Sequence, residues 1–177
     1  MACNMILQAI PYDCGTNLSG VKEIWYNDYN NITLGTVEAG VATVTLTSSE
    51  PFVRIEFAKN TASYTSTLTK NESQGTKYYN TELVANFNKL EAEKNVIFSG
   101  DTGIDGGQLV FIVVDKNNNK WLIGAQDYAS VTALTAQTGA GVDDGNFYTL
   151  TVTEQSGQLP YEISAETYKA LTTPAEA

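Results

Sequence analysis

The chain contains no histidine, and that absence removes more chemistry than any motif adds. Ser-His-Asp and Cys-His devices need an imidazole base, so acid–base work would fall to carboxylates, lysines or tyrosines. The usual zinc partner is missing as well. Only two cysteines occur, Cys3 and Cys14, and they form no Cys-x-x-Cys pair. Free, buried thiols are the expectation for an intracellular origin, although a bridge between them would close a small loop. Arginine is scarce too: Arg54 stands alone, and twenty acids oppose ten bases for a net charge of −10. DNA affinity rests on counter-ion release by Lys and Arg clusters, and a surface of this sign repels nucleic acid on average. No apolar run approaches the roughly 18 residues needed to span a bilayer; the longest, Leu109-Val-Phe-Ile-Val-Val114, has the length of a buried strand. The start, Met1-Ala-Cys-Asn-Met-Ile-Leu7, lacks the basic residues and longer apolar segment of a secretory signal. The expectation is therefore a protein made and kept in a cytoplasm until it assembles or is released, with no membrane partner.

What is present is β pattern. With 177 residues the chain suits one domain. Strands are expected at residues 21–26, 32–37, 41–47, 53–59, 63–70, 77–88, 108–115, 120–125, 129–137 and 147–154. The last is the cleanest: Tyr148, Leu150 and Val152 fall on one face, with Phe147, Thr149, Thr151 and Thr153 on the other. In Val53-Arg-Ile-Glu-Phe57 the alternation turns Val53, Ile55 and Phe57 inward and leaves Arg54 and Glu56 facing out or across an interface. Asp115-Lys-Asn-Asn-Asn119 is a polar connector, which makes residues 108–125 a hairpin whose turn suits positive φ. One short helix is expected over residues 89–98, with Leu90, Lys94 and Ile97 along one side and Ser99-Gly100 ending it. The strand bearing Tyr79, Thr81, Leu83, Ala85 and Phe87 would share a face with it. The architecture implied is mainly β, an antiparallel sandwich or small barrel with one helix packed on it.

Candidate chemistry is thin. Asp101-Thr-Gly103 copies the aspartic-protease triplet but sits in a Gly-rich loop, where Gly, Asp and Thr favour turns for backbone reasons. Asp115, Asn117 and Asn119 have the first three spacings of a calcium loop, yet Lys120 replaces its glycine and Gln126 its final glutamate. Asp143 and Asp144 could join Asp101 or Asp105 around a cation only if folding gathered them. Gly139 and Gly141 resemble a phosphate loop superficially, since no Lys-Ser/Thr follows. Trp25, Tyr26, Tyr29, Trp121 and Tyr128 suggest a sugar-stacking face, against the commoner use of such rings in cores and interfaces. These readings leave no catalytic, metal or cofactor residue and a non-enzymatic expectation. The alternative is a soluble ligand- or carbohydrate-binding module.

The ends read differently from the middle. Residues 1–155 form the expected domain, opened by an N-terminal arm over 1–17 carrying Met5, Ile6, Leu7 and Ile10. Residues 156–177, with Tyr161, Ile163, Tyr168 and Leu171, are expected to be a C-terminal arm or tail, ordering against a neighbour, packing on their own subunit, or fraying. Those apolar residues, with Tyr78, Glu82 and Val84 on the long polar strand, are the assembly-interface candidates.

Several pieces, in order, carry a resemblance: a Cys-containing start, Gly20-Val-Lys-Glu-Ile-Trp-Tyr26, a polar strand with Thr65, Thr67 and Thr69 leading to Gly75-Thr-Lys-Tyr-Tyr79, and Phe87-Asn-Lys-Leu90. Then follow Val113-Val-Asp-Lys-Asn-Asn-Asn-Lys-Trp-Leu-Ile-Gly124 and Asp143-Asp-Gly-Asn-Phe-Tyr-Thr-Leu-Thr-Val-Thr-Glu154. Over residues 1–155 the chain resembles the small β-rich tail proteins of tailed bacteriophages, in a group found in phages of gut Bacteroidetes that includes crAss-like phages. It departs at Asn146-Phe147, where the pattern has Gly-Tyr, and after Gly157. The resemblance implies a tail-tube-like virion subunit, made in the host cytoplasm and located in the tail or neck. Its partners would be itself in a ring, sixfold or a multiple, and other tail or neck proteins, with DNA transiting unbound. An acidic lumen and paired strand edges fit that picture physically.

Overall fold

The computed structural model describes residues 8–10, 12, 14–100 and 102–173. Strands hold 48% of the chain and helices 13%, in two sheets with no closed barrel, so the mainly β expectation holds as a sandwich. The first sheet is built from β1 (Val21–Asp28), β2 (Ile32–Glu38), β3 (Val41–Leu46), β4 (Val53–Ile55), β7 (Leu109–Asp115), β8 (Lys120–Ile123) and β11 (Tyr161–Ile163). Its order is β2-β3-β11-β8-β7-β1-β4. The second sheet has the order β5-β6-β10-β9, from β5 (Ser63–Asn71), β6 (Thr76–Asn88), β9 (Ser130–Gln137) and β10 (Phe147–Ser156). All pairings are antiparallel except β3 with β11.

The apolar run in β7 explains the layering. A strand uniformly apolar must be covered on both faces, and Val110, Phe111, Ile112 and Val113 are each 0% exposed. Phe111 and Val113 meet Leu83, Ala85, Phe87, Tyr148, Leu150 and Val152 of the second sheet. Val110, Ile112 and Val114 face away, into a second core with Phe52, Leu122, Ile163 and Leu171. The molecule is thus a sandwich with a further covering layer on one side.

That covering layer corrects the expectation of a single helix. A second helix, α2 (Ala165–Thr172), begins where the Ser164 hydroxyl accepts the Thr167 N–H at 3.1 Å, satisfying one of the unpaired amides of the first turn. It buries Leu171, while the Tyr168 hydroxyl donates to Glu23 on β1 at 2.8 Å. Burial pushes the Glu23 carboxyl up, but the bonds from Tyr168 and Trp25 outweigh it and hold it below its ordinary value. The segment expected as an arm or tail is therefore part of its own subunit: β11 lies between β3 and β8, and the Phe52 N–H donates to the Leu171 carbonyl.

The first helix, α1 (Ala92–Phe98), follows β6 as expected, but its buried residue is Phe98. Ile97 is exposed, because the helix is only two turns long and its end, rather than its side, meets the sheet. Phe98 packs on Phe87 and Tyr148 with ring centres 5.1 and 5.0 Å away. The Tyr148 hydroxyl accepts the Glu91 N–H and donates to Asn95, tying the helix to β10. The β7–β8 hairpin turns on the Asp115 carboxylate, which accepts the N–H groups of Asn117 and Asn119, the Asn119 amide and the Trp121 indole. Asn118 takes φ +66° there. Val53, expected inside, is exposed, since β4 is three residues long at the sheet's edge and its end overhangs the core.

Candidate assembly surfaces

The β5–β6 hairpin reaches past the sandwich. Its nine pairings run without a break from Ser63↔Val84 to Asn71↔Thr76, yet no residue from Ser63 to Asn80 is fully buried. Inward-facing positions change character along it: Leu83 and Thr81 are covered, then Tyr79 is half-covered and its partner Leu68 exposed. An isolated two-stranded ribbon is marginal in water. Beyond Thr81 the inward face of this one offers Leu68, 42% exposed, beside Tyr79, and then Lys70 and Lys77, with the Lys77 ammonium over the Tyr79 ring.

The outer face of the second sheet is a polar wall. By register it carries Thr65 and Thr67 on β5, opposite Glu82 and Asn80 on β6, with Thr149, Thr151 and Thr153 on β10. Glu82 is the one charged residue on that face, in a chain of thirty charged residues. Branched Thr side chains suit the pleat and can exchange hydroxyl hydrogen bonds with water or with another such face.

The predicted interface residues separate into three groups. Met5, Ile6 and Leu7 lie outside the described residues, whereas Ile10 is 96% exposed. Tyr78, Glu82 and Val84 all stand on the polar wall, Tyr78 and Val84 half-buried and Glu82 exposed. Ile163 and Leu171 are each 1% exposed in their own subunit's core, with Tyr161 and Tyr168 half-buried beside them. Sequence reasoning had no means of separating those four from interface residues, because core and interface use the same side chains.

The chemical candidates disperse. The Asp115 carboxylate is engaged by the turn it builds, which accounts for the calcium-like spacing. Asp144 accepts the N–H groups of Ala140 and Gly141, which hold it below its ordinary value. No cluster of three potential metal ligands occurs among the described residues; Asp101 and Cys3 lie outside them. Cys14, expected buried, is exposed, as the segment bearing it runs over the surface. The five aromatics form no single face: Trp25 packs on Tyr168 in the α2 layer, Tyr26 stacks on Phe111 inside the sandwich, Trp121 meets Tyr64, and Tyr29 pairs with Tyr128. A residue that the sequence reading passed over is Glu154, an acid 2% exposed inside the sandwich. Gly124, at φ +88°, brings the neighbouring loop close to it; a Cβ there would lie 2.5 Å from the Leu109 carbonyl.

No helix among the described residues is long and apolar enough to cross a membrane. No family model, curated protein or solved structure matches the chain.

Proposed function

We propose that the protein is a non-enzymatic structural subunit of a bacteriophage virion, forming a ring in the tail tube or head–tail connector through which DNA passes. The observation that carries this reading is the β5–β6 ribbon, whose last three pairs run past the end of β10 and which leaves Leu68 42% exposed. A ribbon of that kind gains stability by lying on a neighbour, and the open edges of both sheets offer further pairing. The polar wall supports the reading from another side. It offers no Lys or Arg to release counter-ions from phosphates, so a polyanion passing over it would not stick. This refines the idea of an acid-lined lumen: the wall best suited to the role is nearly neutral, and the acids lie elsewhere. The resemblance of the residue order to that of phage tail proteins supplies the biological setting. The ligand-binding alternative loses its main support, because its five aromatics point into separate layers.

The test is the mass in solution and the negative-stain appearance of the full-length chain over a series of concentration and salt. Rings or tubes with a central hole are expected. A compact monomer at every concentration would overturn the reading of a self-assembling ring.

A further inference from the structure

Four cations share one recess. Of the ten bases in the chain, Lys22, Arg54, Lys59 and Lys116 line a single recess of about 370 Å³ beside the edge strand β4. Its floor is apolar, from Ile55 and Phe57, and Glu56 is the one carboxylate on it. Among the described residues none of these four cations has a carboxylate within 4.0 Å, and the ion pairs there are Lys89–Glu91 and Lys94–Glu91. Lys116 donates to the Asn60 amide oxygen and Lys22 to that of Asn118, each at 2.8 Å. Neutral amides position the ammonium groups without cancelling their charge. Glu23 lies within the influence of Arg54 and Lys22, but its carboxylate is taken up by Tyr168 and Trp25. In a chain with twice as many acids as bases, four cations outside any ion pair among the described residues, around an apolar floor, call for a partner that is apolar at its tip and acidic beside it.

The same molecule carries such a tip. Val142 is the most exposed large apolar residue among the described residues, at 104%, and Asp143 and Asp144 follow it directly. Asp144 accepts the Ala140 and Gly141 N–H groups at 2.8 and 2.6 Å, closing the loop on itself. That bond fixes the turn and leaves Asp143 without a hydrogen bond or ion pair of its own among the described residues. The other large apolar side chains that are both exposed and beside a described acid, Val37 and Tyr128, are far less uncovered, at 38% and 41%, and have one acid each.

We propose that the recess beside β4 is a socket for the 138–146 loop of a second copy of the chain, Val142 covering its apolar floor and Asp143 meeting its cations. The inference rests on the self-assembly reading above and gives it a contact. Because socket and loop are different surfaces, the contact is heterologous: each copy gives one loop and receives one. Such a contact propagates into a ring if its rotation closes, and into a filament if it does not. Charge complementarity steers the approach and makes it sensitive to salt.

The test uses the full-length chain and two surface variants whose thermal unfolding matches the parent. The socket variant carries Lys59→Glu and Lys116→Glu; the loop variant carries Val142→Ser and Asp143→Ser. Sedimentation should show each associating about tenfold or more weakly than the parent at low salt. An equimolar mixture should recover one step only, a dimer with one copy of each, since a single intact socket then meets a single intact loop. A parent that assembles alongside variants that assemble equally well overturns the socket and leaves the self-assembly reading standing. A parent that stays monomeric at low salt overturns both.

Discussion

Glu154 stands on the same side of β10 as Tyr148, Leu150 and Val152, and neither carboxyl oxygen makes a well-aligned hydrogen bond among the described residues. Burial pushes its pKa up from 4.5; the amides of Gly124, Gln126 and Asp127 favour the charge but fall short of offsetting that burial. A carboxyl raised in the folded state keeps its proton longer there than in the unfolded chain. Stability is therefore lost as pH rises from the unfolded value towards the folded one, and the loss is complete above it. Glu154→Gln remains neutral throughout. Its Tm should exceed the parent's near neutrality, with the advantage shrinking as pH falls to the ordinary carboxylate range; thermal unfolding across pH reads it. A Tm difference independent of pH would sink the assignment. The alternation that places Tyr148, Leu150 and Val152 inside reaches Glu154 two places further on, yet charge argues for solvent there. The pleat prevails because β10 is held between β6 and β9.

At the scale of elements, β11 and α2 decide whether the first sheet is one sheet. Removing residues 158–177 takes away the strand between β3 and β8, together with Ile163 and Leu171, whose burial is worth roughly 1.5–3 kcal/mol each. The truncated chain should lose cooperative unfolding and bind a hydrophobic dye. A truncated chain melting near the parent's Tm would show the β11–α2 unit to be dispensable. The ten strands read from sequence were legible because most of them repeat an alternation or an apolar run over six residues or more. A strand of three residues and a helix of eight are too short for periodicity to accumulate. The signal that was available is local: Ser164 as a cap, then Tyr168 and Leu171 three apart on one face. β4 fails for a related reason, since alternation tells which way Val53 points along a strand but not that the strand stops at the sheet's rim.

For the whole molecule, the projecting ribbon and the core can be separated. Thr67 and Asn80 are register partners, so replacing residues 68–79 with a two-residue turn shortens the limb and costs the sandwich only the last β6–β10 pair, Tyr79↔Ser156. The monomer should keep its thermal unfolding, and any assembly of the parent should be weakened or lost in sedimentation. Unchanged assembly would remove the ribbon from the interface. Interfaces between copies were the least legible level, and the reason is physical. A sequence pattern reports which side chains avoid water, and Ile163 and Leu171 avoid it inside their own subunit, while Val142 is fully exposed and Leu68 42% exposed.

The position of β11 in the first sheet also sets a clock. β3, β8, β7 and β1 are all translated before Tyr161–Ile163, yet β3 cannot join β8 until that strand arrives between them. The bridging contacts are distant in sequence, and distant contacts form late. A nascent chain can therefore pair β7 with β8 and the strands of the second sheet while its first sheet remains in two pieces. Copies emerging from neighbouring ribosomes would meet with incomplete surfaces, and a chain with its first sheet and α2 layer complete would exist only once synthesis has passed Leu171.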